Sequence, residues 1–495
     1  MNFISTRGIC KDEVSSAYAI KTGLAPDGGL YMPTDIPSLE VGELRELSKM
    51  TYPERAARII GKFLTDYTED ELLEDALGAY SGDKFGAHPA PVSKVDGGRY
   101  ILELWHGPTC AFKDMALQIM PRLFVRALKK TGEDRTALIL VATSGDTGKA
   151  ALEGYRDVDG TKIQVFYPTD GVSRVQKLQM QTQEGKNVCV KAIVGNFDDA
   201  QNGVKRIFSD AAMKQSLGEA GVFLSSANSI NFGRLVPQIV YYVSAYCDMV
   251  STGEIEFGDR IDVCVPTGNF GNIFAAYIAK LMGLPIERLV CASNKNDVLT
   301  EFLTSGVYNR TRPFFATISP SMDILISSNL ERLLYITLGQ EKTREYMEKL
   351  KDEGKYTLST EDFATIREHF VGYSADEDET RAMISKLYKE KNCLIDTHTA
   401  VAVVAQEKYA RAEKAERKIL IASTASPYKF ARDVYTSIFG NENAPDDLES
   451  LEKLASQTGT QIPTPLASLL TKAPRHTDII ELGGMDKAVA DFAKA

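Results

Sequence analysis

Short apolar runs alternate with amphipathic helical stretches over the middle of the chain. The runs are rich in β-branched residues and apolar on both faces, which is typical of parallel strands that helices cover on both sides. From residue 136 onward the predicted elements are strand 137–142, helix 147–155, strand 163–167, helix 172–183, strand 188–194 and helix 198–208. This alternation predicts α/β architecture with a parallel sheet.

A second series of strands and helices follows, and we interpret it as a second α/β unit. It comes after a strand at 221–226 and a long helix at 232–250. Its elements are strand 262–265, helix 273–281, strand 289–293 and helix 298–304. Residues 310–390 are more helical and more charged, as solvated helix faces are, and the strand pattern returns at 392–396 and 418–423.

The first 95 residues show a different pattern, in which helical stretches are joined by Gly and Pro turns. The helical stretches are 41–49, 52–64 and 68–80. We therefore predict an N-terminal accessory domain over residues 1–95, a larger α/β domain over 96–135 and 230–495, and a smaller α/β domain over 136–229. A chain of 495 residues is long enough for several domains of this kind.

The composition argues against several classes of protein. Hydrophobic residues make up 44% of the chain and charged residues 25%, and no apolar run approaches the length of a membrane span. The net charge of −10 weighs against nonspecific nucleic-acid binding. The seven cysteines and five histidines are scattered, so we expect neither disulfides nor a metal site. Because the N-terminal residues become charged before a signal peptide could form, we expect a cytoplasmic protein, and no obligate protein partner is evident.

Lys113 is the candidate catalytic group. It follows an abrupt His-Gly-Pro-Thr turn at 106–109 and stands early in a helix whose other residues are mostly apolar. Burial disfavours the charged form of a lysine, and a lysine of lowered pKa is suited to imine chemistry with a carbonyl or with pyridoxal phosphate. The plainer alternative is a surface lysine that is paired with Asp114.

The clearest anion site is a Gly-rich turn between a strand and a helix, residues 265–273 (VPTGNFGNI). A helix N-terminus presents unpaired amides and partial positive charge, and Gly268 and Gly271 let the backbone approach a phosphate without obstruction. We therefore predict phosphate binding here. The alternative is a tight turn with a glycine cap.

A second turn of this kind, residues 141–149 (VATSGDTGK), superficially resembles a nucleotide-binding P-loop. Only two residues separate Gly145 from Gly148, and Ala150 follows the lysine, so the P-loop spacing is absent. What remains is a hydroxyl-rich loop at a helix N-terminus, which is suited to a carboxylate or a second phosphate. Capping of the helix by Ser144 or Thr147 is the alternative.

Two further segments could contribute polar groups. Arg234 stands one turn into a largely apolar helix, after a polar loop at 225–231, and is suited to two-point binding of an anionic group. A structural pair with an acidic neighbour is equally consistent with the sequence. The strand at 419–422 ends in the hydroxyl-rich segment 423–427, at the end of a parallel strand where ligands bind, although Ser and Thr before Pro are also common in plain turns.

Six motifs occur in the order found in the threonine synthase family, which the sequence closely resembles. The motifs are HGPTCAFKDMALQ, ATSGDTGKAAL, ANSINFGR, VPTGNFGNI, IDTHTA and STASPYKF, and the N-terminal GLAPDGGLYMP is also similar. The resemblance extends from about residue 5 to about residue 435. It implies the fold type II class of pyridoxal-phosphate (PLP) enzymes, which is tryptophan synthase β-like, with a cleft between two α/β domains.

The resemblance also implies roles for individual residues. Lys113 would bind PLP covalently, and Thr424 would face the pyridine nitrogen. The PLP phosphate would be held by Gly268, Asn269, Phe270, Gly271 and Asn272. The carboxylate and phosphate of the substrate would be faced by Ser144, Gly145, Asp146, Thr147, Asn231 and Arg234. Ser426 stands where many relatives have histidine, which is a departure close to Thr424.

The reaction that the resemblance implies is the conversion of O-phospho-L-homoserine and water to L-threonine and phosphate, with PLP as the electron sink. Lys113, once freed from the cofactor, would act as base at Cα and then at Cβ. Two anion sites are needed, one for the cofactor and one for the substrate, and the sequence offers two Gly-rich turns. The main alternative is a PLP lyase of the same fold that acts by β-elimination on a hydroxy or phosphorylated amino acid. A noncatalytic PLP-binding homologue is a further alternative.

Overall fold

The computed structural model describes residues 1–440 and 445–495. The strands in this part of the chain are β1 (Phe3–Ser5), β2 (Tyr31–Pro33), β3 (Val92–Lys94), β4 (Arg99–Glu103), β5 (Thr136–Ala142), β6 (Thr161–Pro168), β7 (Val188–Ile193), β8 (Val222–Ser225), β9 (Ile261–Pro266), β10 (Ile286–Ser293), β11 (Val307–Asn309), β12 (Lys355–Thr357), β13 (Phe370–Ser374), β14 (Ile419–Ser423) and β15 (Ile479–Ile480).

Helices make up most of the remaining regular structure. The α-helices are α1 (Ser16–Thr22), α2 (Val41–Leu47), α3 (Tyr52–Phe63), α4 (Glu69–Ala79), α5 (Gly82–Phe85), α6 (Asp114–Leu117), α7 (Met120–Lys130), α8 (Asp146–Tyr155), α9 (Arg174–Gln181), α10 (Phe197–Ser209), α11 (Ala211–Glu219), α12 (Phe232–Ser251), α13 (Gly271–Leu281), α14 (Val298–Ser305), α15 (Leu330–Leu338), α16 (Gln340–Asp352), α17 (Thr360–Arg367), α18 (Glu377–Lys391), α19 (Thr397–Glu413), α20 (Ala431–Phe439), α21 (Glu449–Thr458), α22 (Thr464–Ala467) and α23 (Met485–Lys494). Short 3-10 helices are Pro320–Met322, Pro427–Phe430, Ser468–Leu470 and Leu482–Gly484.

Two parallel sheets form the framework of the molecule. The larger sheet has the strand order β13-β10-β9-β14-β4-β3, in which β3 runs antiparallel to β4 and the other neighbours are parallel. The smaller sheet has the order β15-β7-β6-β5-β8, and its strands are all parallel in the described residues. The predicted α/β fold with two parallel sheets is confirmed.

The central strands are apolar on both faces because helices cover both sides of each sheet. All residues of β9 and β14 are buried, and in β5 only the two end residues are partly exposed. A polar side chain on either face would have to leave water without a guaranteed partner, which is costly. The sequence pattern thus follows directly from the layered architecture.

The long helix α12 connects the N-terminal helices to the larger sheet, and nearly all of its residues are buried. From α3, Arg55 donates to Ser244 Oγ at 2.7 Å and to Asp248 Oδ1 at 2.6 Å on α12. Because the helix is buried around its whole circumference, Arg234 in its first turn lies inside the protein and not on a solvated face.

The observed elements differ from the predicted ones in the last third of the chain. Residues 392–396, predicted as a strand, are irregular, because Asp396 ends this apolar run by accepting the amides of His398 and Thr399 as the cap of α19. The edge strand β13 is not predicted by the sequence pattern. Its five residues, FVGYS, include a glycine and stand between charged helices.

The division into three domains remains a proposal, and the strand pairing differs from it at two places in the chain. β3 precedes the boundary at residue 95 and yet belongs to the larger sheet. β15 and α23 fall within 230–495, which the sequence pattern assigned to the larger domain, but β15 pairs with β7 of the smaller sheet. Met485 of α23 is buried in one cluster with Leu138 and Phe166 of that sheet. The end of the chain therefore returns to the smaller domain.

Two features of residues 1–440 and 445–495 bear on the class of protein. No helix there combines the length and the apolar character that crossing a membrane requires. No group of three or more His, Cys, Asp or Glu side chains in the same residues is arranged to hold a metal ion.

Candidate active site

Lys113 stands at the start of α6, directly after the Gly-Pro turn. Asp114 fixes this turn, since its carboxylate accepts the amide of Thr109 at 2.8 Å and the hydroxyl of Thr109 at 2.7 Å. Gly107 is required here, because a Cβ at this position would lie 2.5 Å from the Cβ of Asp114. Asp114 is therefore engaged with the turn, and the structure does not show the surface pair of Lys113 and Asp114.

The amine of Lys113 is buried and electrostatically perturbed. Its Nζ lies 3.9 Å from Oδ2 of Asp146 and 4.6 Å from the centre of the Phe112 ring. Burial lowers the pKa of Lys113 to about 8; the carboxylate of Asp146 opposes this change, and the positive charges of Lys429 and Arg234 reinforce it. A substantial fraction of the free amine near neutral pH follows, and this is the form that attacks a carbonyl.

Asp146 lies between two lysines. Its Oδ1 is 2.7 Å from Nζ of Lys429 and accepts Nε2 of Gln176 at 2.9 Å. Burial alone would raise the pKa of the Asp146 carboxyl, but the charges of Lys429 and Lys113 outweigh burial and hold that pKa below its ordinary value. The side chain of Asp146 is thus engaged with Lys429 and Gln176, and the role of Asp146 at the substrate, which the resemblance implies, stays a prediction.

The Gly-rich turn between β9 and α13 presents unpaired amides. In residues 1–440 and 445–495, no acceptor is within hydrogen-bonding distance of the amides of Gly268, Asn269, Phe270, Gly271 and Asn272. Phe270 has a φ of 62°, in the left-handed region, which turns the chain sharply into the helix. Its ring is buried against Phe370, with 5.6 Å between ring centres. Free donors at the start of an eleven-residue helix fit a phosphate.

Neighbouring side chains hold this turn in place. Asn329 donates its Nδ2 to the carbonyl of Asn269 at 2.9 Å, and Ser327 donates its hydroxyl to the carbonyl of Gly268 at 2.7 Å. Asn272 is held by Tyr241, whose hydroxyl donates to its Oδ1 at 2.7 Å. The Nδ2 of Asn272 is buried and has no acceptor among the described residues, so it is available to a ligand.

Ser321 joins the Gly-rich turn to the lysine. The carbonyl oxygen of Ser321 lies so close to Gly268 that a Cβ there would be 2.6 Å from it. The hydroxyl of Ser321 donates to Oδ2 of Asp146 at 3.4 Å, which is the same oxygen that faces Lys113. The Gly-rich turn and the amine of Lys113 are therefore parts of one cleft.

The second turn also presents unpaired amides. The hydroxyl of Thr143 accepts the amides of Gly145 and Gly148 at 3.0 and 2.9 Å, and neither Ser144 nor Thr147 caps α8. The amides of Ser144, Asp146 and Thr147 meet no acceptor in the part of the chain that the structure describes. The backbone of this turn, and not the side chain of Asp146, is therefore the second candidate anion site.

Arg234 is buried without an acidic partner. Its Nη1 donates to the carbonyl of Ala227 at 2.6 Å, whereas Nε has no partner among the described residues. Burial lowers the pKa of Arg234 to about 10, and the ionisable groups that oppose this change are the phenols of Tyr155 and Tyr241. The structural ion pair considered as an alternative is therefore not present in the described residues. A buried guanidinium with an unused donor is suited to an anionic ligand.

Asn231, which the resemblance assigned to the substrate, is engaged in holding the structure. Its Nδ2 donates to the carbonyl of Ile20 at 2.7 Å, and its Oδ1 accepts the amide of Gly233 at 2.8 Å. Both polar atoms of the side chain are in use. Asn231 therefore caps α12 and ties it to α1, which positions Arg234, and its role at the substrate stays a prediction.

Arg332 is a second buried arginine, and sequence reasoning missed it. It donates to the carbonyls of Ile230 at 2.6 Å, Tyr31 at 3.3 Å and Ser229 at 3.4 Å, and to Oδ1 of Asn329. It thus joins β2, the loop before α12 and the residue that holds the Gly-rich turn. The available signal was a single arginine among leucines in α15.

The end of β14 lies beside Phe112, the residue that precedes the lysine. The carbonyl of Thr424 accepts the amide of Phe112 at 2.8 Å. The hydroxyl of Ser423 accepts Nε1 of Trp105 at 3.0 Å and the hydroxyl of Thr399 at 2.9 Å. The hydroxyl-bearing end of β14 is therefore fixed from two sides.

The IDTHTA motif supports the cleft from behind. Oδ2 of Asp396 and Nδ1 of His398 are 2.8 Å apart, and Nε2 of His398 accepts the amide of Ser321 at 3.1 Å. This pairing requires the tautomer with the proton on Nδ1. Ser426 begins the 3-10 helix that carries Lys429, a buried lysine that sequence reasoning missed although it stands between two aromatic residues.

Family models match three consecutive parts of the chain. "Threonine synthase N terminus" matches residues 2–80, "Pyridoxal-phosphate dependent enzyme" matches residues 90–424, and "Threonine synthase, C-terminal" matches residues 399–479. The second of these models alone covers more than half of the chain.

The chain is also similar to known proteins over most of its length. It is 36% identical to the threonine synthase of Pseudomonas aeruginosa over 483 residues, which cover 96% of this chain and 98% of that protein. It is 41% identical to human threonine synthase-like 1 over 450 residues, which cover 87% of this chain but 60% of the human protein. The chain therefore spans less than two thirds of the length of that relative.

Two solved structures superpose on the whole fold. PLP-bound threonine synthase from Brucella melitensis has a TM-score of 0.87 and 36% identity, with 100% of both chains covered. Threonine synthase from yeast has a TM-score of 0.88 and 33% identity, with 99% of this chain and 98% of that chain covered. Since the cleft, the family models and these full-length similarities agree, the chain belongs to the threonine synthase family of pyridoxal-phosphate-dependent enzymes.

Proposed function

We propose that this chain is a threonine synthase, which converts O-phospho-L-homoserine and water to L-threonine and phosphate with PLP bound at Lys113. The observation that carries this proposal is that two separate groups of unpaired amides, together with Arg234, surround one amine of lowered pKa. A PLP enzyme that acts on a phosphorylated amino acid needs one anion site for its cofactor and another for its substrate.

The residues of the cleft fit PLP. The amides of the turn 268–272 and Nδ2 of Asn272 would hold its phosphate, Lys113 would bind its carbonyl carbon, and Thr424 would face its ring nitrogen. When bound, PLP supplies an electron sink that stabilises negative charge on the substrate carbons near the amino group. The hydroxyl of Thr424 carries no charge, so it does not hold a proton on the ring nitrogen as a carboxylate would.

Lys113 moves protons during the reaction. Once the substrate amine has displaced it, the amine of Lys113 would take a proton from Cα, give that proton up again, and as the free amine take a second proton from Cβ. A pKa of about 8 suits both the uptake and the return of a proton near neutral pH. Asp146, 3.9 Å away, stabilises the ammonium form between these steps.

Arg234 and the turn 144–147 would bind the anionic groups of the substrate. Arg234 has an unused buried donor, and a guanidinium in a desolvated site binds a phosphate strongly. We assign the leaving phosphate on Cγ to Arg234 and the carboxylate to the amides of the turn. Holding both ends of the substrate places Cα and Cβ within reach of one amine.

A measurement in ¹⁸O-labelled water tests the proposed reaction. The PLP-loaded protein is incubated with phosphohomoserine, and threonine, phosphate, keto acid and ammonia are quantified. We expect threonine and phosphate in equal amounts, with one ¹⁸O in the hydroxyl of threonine and none in the phosphate, because the Cγ–O bond of the substrate breaks and water adds at Cβ.

The alternatives give different products in the same experiment. A lyase would release phosphate together with a keto acid and ammonia in place of threonine. A noncatalytic homologue would bind PLP and release no phosphate. Lys113→Ala provides the control for product formed without the enzyme's own amine.

A further inference from the structure

Lys429 and Asp146 form a fully buried ion pair in the wall of the cleft. Their charged atoms are 2.7 Å apart, and the two side chains are 0% and 4% exposed. Lys429 also donates to the carbonyl of Thr109 at 3.1 Å. Burying two charges costs desolvation energy, and apolar residues of similar volume are often equally or more stabilising at such a place. The pair therefore points to a role other than stability.

The pair joins the two sheets next to the reactive amine. Asp146 begins α8, which follows β5 of the smaller sheet, and Lys429 lies in the 3-10 helix that follows β14 of the larger sheet. The second carboxylate oxygen of Asp146 is 3.9 Å from Nζ of Lys113. The ammonium of Lys429, the carboxylate of Asp146 and the ionisable amine of Lys113 thus follow one another across the cleft.

We propose that Asp146 and Lys429 are positioning residues that together set the proton affinity of the Lys113 nitrogen: Asp146 favours its protonated form, and Lys429 limits this effect by neutralising Asp146. The inference rests on the proposed role of Lys113 as the PLP-binding amine. It explains why a carboxylate is present in a cleft that binds anions, because Lys429 compensates its charge.

The remaining charged groups around Lys113 do not replace this pair. Arg234 of α12 contributes a further positive charge, and it is a fixed one. Asp114 is hydrogen-bonded to Thr109, and burial raises its pKa to about 6. Without Lys429, the full charge of Asp146 would act on Lys113 and hold its proton more strongly. Without Asp146, the positive charges of Lys429 and Arg234 would repel that proton.

The test compares four variants of the full-length protein: Lys429→Gln, Lys429→Arg, Asp146→Asn and the double variant with Asn and Gln. Glutamine removes the charge of Lys429 but keeps a donor for Asp146 and Thr109, whereas arginine keeps both charge and donors. Circular dichroism first establishes that each variant is folded.

Two readouts report the proton on the Lys113 nitrogen. The first is the pH midpoint of the visible absorption change of the PLP-loaded protein. The second is the pH dependence of PLP capture by cofactor-free protein, trapped with borohydride and quantified on the Lys113 peptide by mass spectrometry. The exposed Lys414 serves as internal reference for general amine labelling.

The two charge changes should shift the midpoint in opposite directions. Lys429→Gln should raise it by about one pH unit or more, and Asp146→Asn should lower it by a similar amount, as expected for charges within about 4–6 Å. Lys429→Arg should stay close to wild type, and the double variant should lie between the single ones. A merely structural pair would lower stability and PLP affinity in all four variants without opposed shifts.

The inference is overturned if the midpoints do not move, if both single variants move them in one direction, or if Lys429→Arg shifts them as far as Lys429→Gln. Should Asp146→Asn fail to fold, the two Lys429 variants decide the question, since they differ in charge and share hydrogen-bonding capacity. If wild-type protein does not capture PLP on Lys113, the proposed function fails instead, which is a distinct result.

Discussion

Replacing Arg234 with methionine should separate substrate binding from stability. Arg234 is 3% exposed, makes a hydrogen bond to the carbonyl of Ala227, and leaves its Nε without a partner in the described residues. Methionine is of similar length, carries no charge and adapts to apolar surroundings. In the substrate-free protein, this variant therefore loses one hydrogen bond and also removes an unpaired buried donor.

The expected magnitude follows from these two opposing contributions. Losing a hydrogen bond from a charged donor costs about 1.5–3 kcal/mol, and removing an unsatisfied buried donor returns about 1–3 kcal/mol. The two contributions are of similar size, so the unfolding temperature of the substrate-free protein should change little. Losing a desolvated, charge-assisted contact to the substrate phosphate costs about 2–5 kcal/mol, which is a loss of roughly thirty-fold to several-thousand-fold in kcat/KM.

The assay measures kcat/KM from phosphate release, the unfolding temperature, and the visible absorption of bound PLP. PLP should be retained, because the turn 268–272 is untouched. Arg234→Lys should recover only part of the activity, since an ammonium keeps the charge without the planar two-point geometry. A substrate analogue without the phosphate should bind Arg234→Met almost as well as wild type.

Arg332→Met is the matched control. Arg332 is also fully buried, but its removal leaves the carbonyls of Ile230, Tyr31 and Ser229 without their donor, so the unfolding temperature should fall strongly. If Arg234→Met lowers the unfolding temperature as much as Arg332→Met, or weakens the analogue as much as the substrate, then Arg234 is structural and the substrate phosphate binds elsewhere.

Three further predictions concern PLP binding. Gly268→Ala would place a Cβ 2.6 Å from the carbonyl oxygen of Ser321 and should weaken PLP binding by roughly 5- to 150-fold in an equilibrium titration. The control is Gly42→Ala, whose Cβ would meet nothing within 4 Å and which should bind PLP like wild type. Equal PLP affinities of the two variants would contradict the assignment of the turn. Because burial lowers the pKa of Lys113 to about 8, PLP capture should rise with pH through this value and then level off. A rise only at the higher pH at which ordinary lysines lose their proton would show that the pKa of Lys113 is not lowered. His398→Leu removes the acceptor for the Ser321 amide and should lower PLP affinity in the same titration. Unchanged affinity would show that this hydrogen bond does not contribute to PLP binding.

The parts of the fold that could be predicted are those with a local signal. Strands such as β5 and β9 are apolar except at Thr136 and Asp262, because both faces are covered, and the sequence alone shows this. The edge strands β13 and β15 are short and partly exposed, so their residues carry no clear period. The pairing of β15 with β7 depends on the chain returning across the molecule, which no local pattern encodes.

The residues of the candidate site also differ in whether a local sequence feature points to them. Lys113 and the turn 268–272 could be proposed from the sequence, because a lysine in an apolar segment and glycines before a helix are local features, and their roles stay predictions. The partners of Asp146 and Asn231 are Lys429 and the carbonyl of Ile20, which are distant in sequence. Residue type permits both to bind a ligand, but these contacts within the protein could not be foreseen from the sequence.

Reduction of the PLP-loaded protein with borohydride, followed by peptide mapping, tests directly whether PLP is bound at Lys113. We expect the pyridoxyl group on Lys113, and we expect Lys113→Ala to lose both this label and the visible absorption. Lys429, which lies near Lys113, and Lys149, which lies near Lys429, serve as comparators in the same digest. Label on either of these instead of Lys113, or an alanine variant with full absorption and turnover, would contradict the claim.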